Sequence, residues 1–176
     1  MSRYFDVRNT VLLVVGYGIL PEEEDRPIAY ELKRAIGSRC QGSPDRSAVV
    51  VTDMWMLNQE MAEMFPAIAI GGPAVNAFTA QVYEDLPLAF TRDQQVFIQM
   101  NHEQGKRAAL WGMDRHATEE ASELFVKEGS SIASSTWSGT DPRSLLGRLR
   151  AKGGTEVTVP RPAVARRIRG HVVEVR

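Results

Sequence analysis

The residues best placed to do chemistry fall at the ends of short apolar runs. Gly16-Tyr17-Gly18 closes the run 11–15, and Thr52-Asp53 closes 48–51. Gly71-Gly72-Pro73 closes 67–70, and Gly112-Met113-Asp114 closes 107–111. Glycine lets a backbone approach a ligand closely, and a helix starting just beyond it aims free N–H groups at that ligand. The segment Gly71-Gly72-Pro73, with Asn76 as a helix cap after it, is the sharpest of the four. Such a loop suits a carboxylate, a phosphate or a sugar hydroxyl. The candidate ligand residues are therefore Gly16, Tyr17, Gly18, Asp53, Gly71, Gly72, Pro73, Asn76, Asp114 and His116. Asp114 and His116 also place an acid and a base near one strand end. That pair serves general acid–base chemistry, or it is a helix cap beside an exposed histidine.

A purely structural reading stands beside each of these. Strand-to-helix turns need glycine for geometry alone. Gly-Gly-Pro is neither the P-loop nor the dinucleotide fingerprint, and Gly16-Tyr17-Gly18 lacks the third glycine. The four consecutive acids at 22–25 repel a polyphosphate unless a metal intervenes. His102, His116 and Asp53 show no metal-ligand spacing. The single cysteine, Cys40, excludes an internal disulfide and a Cys-based zinc site. The serine pairs at 130–131 and 134–135 lack the nucleophile-elbow pattern. No catalytic residue, metal set or cofactor follows from these motifs.

The elements that must position these residues alternate. The continuous apolar runs 11–15, 48–51 and 67–70 read as strands buried on both faces. Asp25 caps a first helix with Pro27 in its first turn, and Ile28, Leu32 and Ile36 form its apolar stripe up to Gly37. Residues 54–65 have no helix breaker and read as one helix with Met54, Leu57, Met61 and Met64 toward the core. Trp55 falls off that face as an exposed aromatic anchor. Asn76 caps a helix reaching about Glu84. Residues 88–91 and 95–100 read as a hairpin, with Val96, Ile98 and Met100 on a half-exposed strand. A strand at 107–111 precedes a helix at 117–127 with Ala121, Leu124 and Phe125 on one face. This alternation predicts an α/β fold, a three-layer sandwich with a mostly parallel central sheet and a small β-hairpin insertion or antiparallel edge. The Rossmann-like domain occupies 1–140. Residues 141–176 form a basic C-terminal extension of helix and strands that packs on it or on a partner. In an open parallel sheet, ligands bind beyond the carboxyl ends of the strands.

The stretch Ile68-Ala69-Ile70-Gly71-Gly72-Pro73-Ala74-Val75-Asn76-Ala77-Phe78-Thr79 resembles the strand, Gly-Gly-Pro and Asn-capped helix element in the α/β domains of archaeal S-layer proteins. Residues 105–112, then Asp114, Thr118 and Ala121, are similar to the strand–Gly–helix element that follows it there. The likeness covers residues 67–127. It implies an α/β fold and a non-enzymatic, assembly-type role. No signal peptide, membrane anchor or Ser/Thr-rich stalk like theirs is expected from this sequence, so the resemblance does not imply an S-layer location.

Composition bounds the rest. The 176 residues are 43% hydrophobic and 24% charged, enough for a real core and unlike a disordered chain. No apolar run is long enough to span a bilayer, and the N-terminus has no signal-peptide core. A cytoplasmic chain without membrane partners is expected. Charge is uneven. Residues 141–176 hold nine basic and three acidic residues, a net of +6, and the whole chain is −1, which leaves −7 on residues 1–140. An acidic body with a basic end can pair with another copy, with another protein or with nucleic acid. Three functions follow. The leading one is an interaction or self-assembly module, a homo-oligomer using Arg161, Arg166, Arg167 and Arg169 as partner contacts. The second is an enzyme or sensor binding a nucleotide or sugar at the strand-end crevice. The third is nucleic-acid binding through the Arg-rich end, which the acidic body opposes.

Overall fold

The computed structural model describes residues 7–40, 46–100 and 106–128. Six strands and four helices follow in the order β1 (Thr10–Val15), α1 (Ile19–Arg39), β2 (Ser47–Thr52), α2 (Asp53–Asn58), a 3₁₀ turn (Glu60–Met64), β3 (Ala67–Ile70), α3 (Ala77–Val82), β4 (Leu88–Arg92), β5 (Val96–Met100), β6 (Arg107–Gly112) and α4 (Arg115–Glu128). The strands form one mixed sheet in the order β2-β1-β3-β6-β5-β4. The pairs β2–β1, β1–β3 and β3–β6 are parallel, and β6–β5 and β5–β4 are antiparallel. The expected hairpin thus forms the antiparallel edge. Asp93 and Gln94 turn it with φ of 52° and 56°, the left-handed pair that matches strand twist.

Two apolar layers sandwich the sheet. Alternate residues Val11, Leu13 and Val15 of β1 face α1 and α4, packed with Ile28, Leu32, Ala121 and Phe125. The residues between them, Leu12 and Val14, face α2, the 3₁₀ turn and α3 through Met56, Ala62 and Phe78. Period-two alternation in the central strand divides the core this way. Val96, Ile98 and Met100 are buried under α4, as their alternation predicts, but Gln99 on the opposite face is buried as well, so β5 is not half-exposed. No helix among the described residues is long and apolar enough to cross a membrane. The basic extension 141–176, with Arg161, Arg166, Arg167 and Arg169, lies outside the described residues, as does His102.

Three local expectations are corrected. First, α1 starts at Ile19, six residues before Asp25. Pro21 sits in its first turn, where no N–H is needed, and Pro27 lies inside the helix. The helix runs through Gly37 to Arg39. Second, residues 54–65 are not one helix. Gln59 is extended, at φ −113° and ψ 105°, and separates α2 from the 3₁₀ turn. The 3.6-residue phase is lost there, so Met54, Leu57, Met61 and Met64 all face outward, while Met56 and Ala62 enter the core. Third, β2 is an edge strand, and only Ala48 of its six residues is buried.

Candidate functional site at the carboxyl edge

The parallel strands align the carboxyl ends of β2, β1, β3 and β6 along one edge. The chain reverses its direction of travel between β1 and β3, since β2 lies on one side of β1 and β3 on the other. A ligand crevice opens at such a point. Here it is filled. Asn76, 1% exposed, spans it. Its Nδ2 donates to the Val14 carbonyl of β1 at 3.0 Å and to the Ile70 carbonyl of β3 at 2.9 Å. Its Oδ1 accepts from the Phe78 and Thr79 N–H groups at 3.0 and 3.1 Å. All four hydrogen-bonding positions of the amide are thus used. One side chain caps α3 and ties it to β1 and β3.

The residues around Asn76 are equally committed. Asp53 is buried, and its two oxygens accept from Met54 N–H at 2.6 Å and Ala77 N–H at 2.8 Å. Thr79 Oγ1 donates to the Gly71 carbonyl at 2.9 Å. Gly71 has φ of +97°, a backbone shape that favours glycine. Gly16 meets the Val75 carbonyl so closely that a Cβ there would overlap it. Gly72 lies against Trp111 and the Gly112 carbonyl. The loop 71–76 therefore packs into the junction of β1, β3 and β6. The structure brings Gly16, Asp53, Gly71, Gly72 and Asn76 together, through protein-to-protein contacts. Pro73 is half-buried in the same loop, Gly18 is half-buried just before α1, and Tyr17 stands outside at the rim, 73% exposed.

Asp114 and His116 do not join this group as an acid–base pair. Asp114 Oδ1 accepts from Ala117 N–H at 2.8 Å and caps α4, while His116 is exposed. Both border a shallow polar depression of about 80 Å³, shared with Arg92, Asp93 and Glu120. Arg92 pairs with Glu120 across it. Among the described residues no three metal-ligating side chains cluster. Cys40 is a free, half-buried thiol beside the α1 core.

The sequence reading misplaces one residue of interest. Asp25, which the sequence places at a helix cap, is 6% exposed. It lies on the buried stripe of α1 with Pro21, Ile28, Ala29, Leu32 and Ile36. Asp25 stands three residues before Ile28, a helical neighbour on the same face. Its Oδ2 lies 2.5 Å from where a Cβ of Gly71 would stand, so the bare glycine leaves room for the carboxylate. Burial raises its pKa from 3.8 to about 6, Glu24 adds to the rise, and Arg115 opposes it.

A raised carboxyl pKa favours the folded state when protonated. The native form binds more protons than the unfolded one between pH 3.8 and about 6. Stability therefore falls across that window as pH rises, by on the order of 1–2 kcal/mol, and is flat above it. Asp25→Asn is expected to melt several degrees higher than the natural chain at pH 8 and together with it at pH 4. Melting curves across this range check it, and parallel profiles would show that Asp25 titrates normally.

Large apolar side chains stay outside. Along the carboxyl edge these are Tyr17, Ile19 and Leu20 after β1, Val75 after β3 and Met113 after β6. On α2 and the 3₁₀ turn they are Met54, Trp55, Leu57, Met61 and Met64, with Trp55 44% and Met61 68% exposed. The exposed Trp55 matches the sequence expectation. The segment carrying them is anchored. Arg107 donates to the Phe65 and Glu63 carbonyls at 2.6 and 2.9 Å, and Thr52 Oγ1 accepts from Trp55 N–H at 3.2 Å. Against this geometry, comparison with known proteins adds no kinship: no protein-family model matches the chain, and no curated protein is similar to it.

Proposed function

We propose that the chain is a non-enzymatic interaction module that assembles with copies of itself. One observation carries this reading. Five large apolar side chains, Met54, Trp55, Leu57, Met61 and Met64, stand exposed on one anchored segment of eleven residues. Exposed apolar clusters on a folded surface mark contact sites, and methionine and tryptophan are the residues such contacts use. Support also comes from the carboxyl edge, where the side chains of Asp53, Asn76 and Thr79 already bond to backbone. The S-layer resemblance of residues 67–127 and the opposed charges of body and C-terminal end agree with an assembly role.

The test removes the surface and leaves the core. The double variant Trp55→Ser, Met61→Ser is expected to stay monomeric where the natural full chain forms a defined oligomer by light scattering. Its melting temperature should lie within a few degrees of the natural chain. Equal oligomerisation of both proteins would refute the surface.

A second reading draws on Asp25. It is a buried carboxyl set against Gly71 at the carboxyl edge, an acceptor suited to the hydroxyl or amine of a small molecule. A thermal-shift screen with nucleotides, sugar phosphates and divalent metals separates the two readings. Stabilisation by one compound, lost in Asp25→Asn, would favour the binding reading.

A further inference from the structure

The sheet has two edges, built differently. At the β4 edge the register shifts between Leu88 and Phe90, and the strand ends on Arg92, ion-paired to Glu120. A bulge and a charge are the usual guards against stray pairing. The β2 edge has neither. Its sequence is Ser-Ala-Val-Val-Val-Thr, with no charge and no proline, in unbroken register with β1 over six residues. Ser47 N–H donates to the Asn9 carbonyl at 2.8 Å. Strand alternation then turns the backbone of Ser47, Val49 and Val51 toward β1, and that of Ala48, Val50 and Thr52 outward. Among the described residues no strand pairs with that outer side.

We infer that the outer side of β2 pairs with β2 of a second copy, antiparallel, about a twofold axis at Val49 or Val50, so that two six-stranded sheets become one. The inference rests on the self-assembly reading above and names its surface and geometry. Three features select a second copy of this chain. An uncharged strand meets itself without repulsion, and its valines become cross-strand neighbours, a favourable pairing. The guarded β4 edge stops propagation, so pairing closes at two subunits and does not run on as a fibre. Finally, α2 packs beside β2 and β1, so its exposed Met54, Trp55 and Leu57 flank the open edge, where the partner's α2 would cover them. Only outward-facing residues can bond across the axis. Val50 therefore lies opposite Val50 or Ala48, and its N–H is bonded in either register.

The test is residue-resolved amide hydrogen exchange on the full chain, at micromolar and at hundreds of micromolar concentration, with light scattering on the same samples. The expected result is doubled mass at high concentration, with the Val50 N–H exchanging about a hundredfold more slowly there than on dilution. Doubled mass with a fast Val50 N–H would overturn the edge pairing and leave self-assembly standing. A slow Val50 N–H in a monomer at every concentration would mean the chain covers its own edge, which also overturns it. A monomer with a fast Val50 N–H at all concentrations would overturn both.

Discussion

Asn76→Ala is expected to destabilise the fold by about 3–5 kcal/mol, a large share of the stability of a domain this size. The variant takes this amide away from the Val14 and Ile70 carbonyls and from the Phe78 and Thr79 N–H groups, at a site closed to water. Asn76→Asp separates the two jobs. It keeps an acceptor for the helix N-terminus but points carboxylate oxygen at two carbonyls, so most of the loss should remain. Urea unfolding of the three proteins checks this. A loss below about 1 kcal/mol in Asn76→Ala would show that the loop 71–76 is not held by this amide.

Gly16→Ala has the second largest expected effect, about 2–4 kcal/mol, because the added methyl group meets a backbone carbonyl and not the tip of a flexible side chain. The Val75 carbonyl must move, and with it the loop that Asn76 anchors. The two substitutions release the same loop, so the double variant Gly16→Ala, Asn76→Ala should lose less than the sum of the singles. A neutral Gly16→Ala would mean that the loop stands away from β1 in solution. The junction would then be open to a ligand, as the sequence motif alone suggests.

Much of the fold is written in local signals. Apolar runs ending in glycine mark β1, β3 and β6. Asn76 two residues before Phe78 reads as a cap and is one. The polar turn between Arg92 and Gln95 divides the hairpin as expected. Other features were illegible for physical reasons. Asp25 followed by Pro27 imitates a helix start, and the true start has glycine at its cap with no side-chain hydrogen bond to announce it. Gln59 breaks the Met-rich helix although glutamine is a good helix former, so nothing local foretells the break. A run of valines cannot tell a central strand from an edge strand, because that depends on which strand arrives on its other side. The candidate site shows the same limit. Glycine and asparagine at the strand ends are residues suited to facing a ligand. Whether they face a ligand or each other depends on the path of the loop 71–76, a tertiary property.

The Met54–Met64 surface has the widest consequence of these misreadings. Side chains assigned to the core by helical spacing stand in solvent, and a chain seldom exposes five such groups on one rigid segment without a partner. Self-assembly is thus the claim on which the functional reading turns. Sedimentation equilibrium of the unmodified full chain, from micromolar to hundreds of micromolar at low salt, measures it directly. Self-assembly predicts a concentration-dependent rise from the monomer mass to twice that mass. A single monomeric species throughout would contradict it.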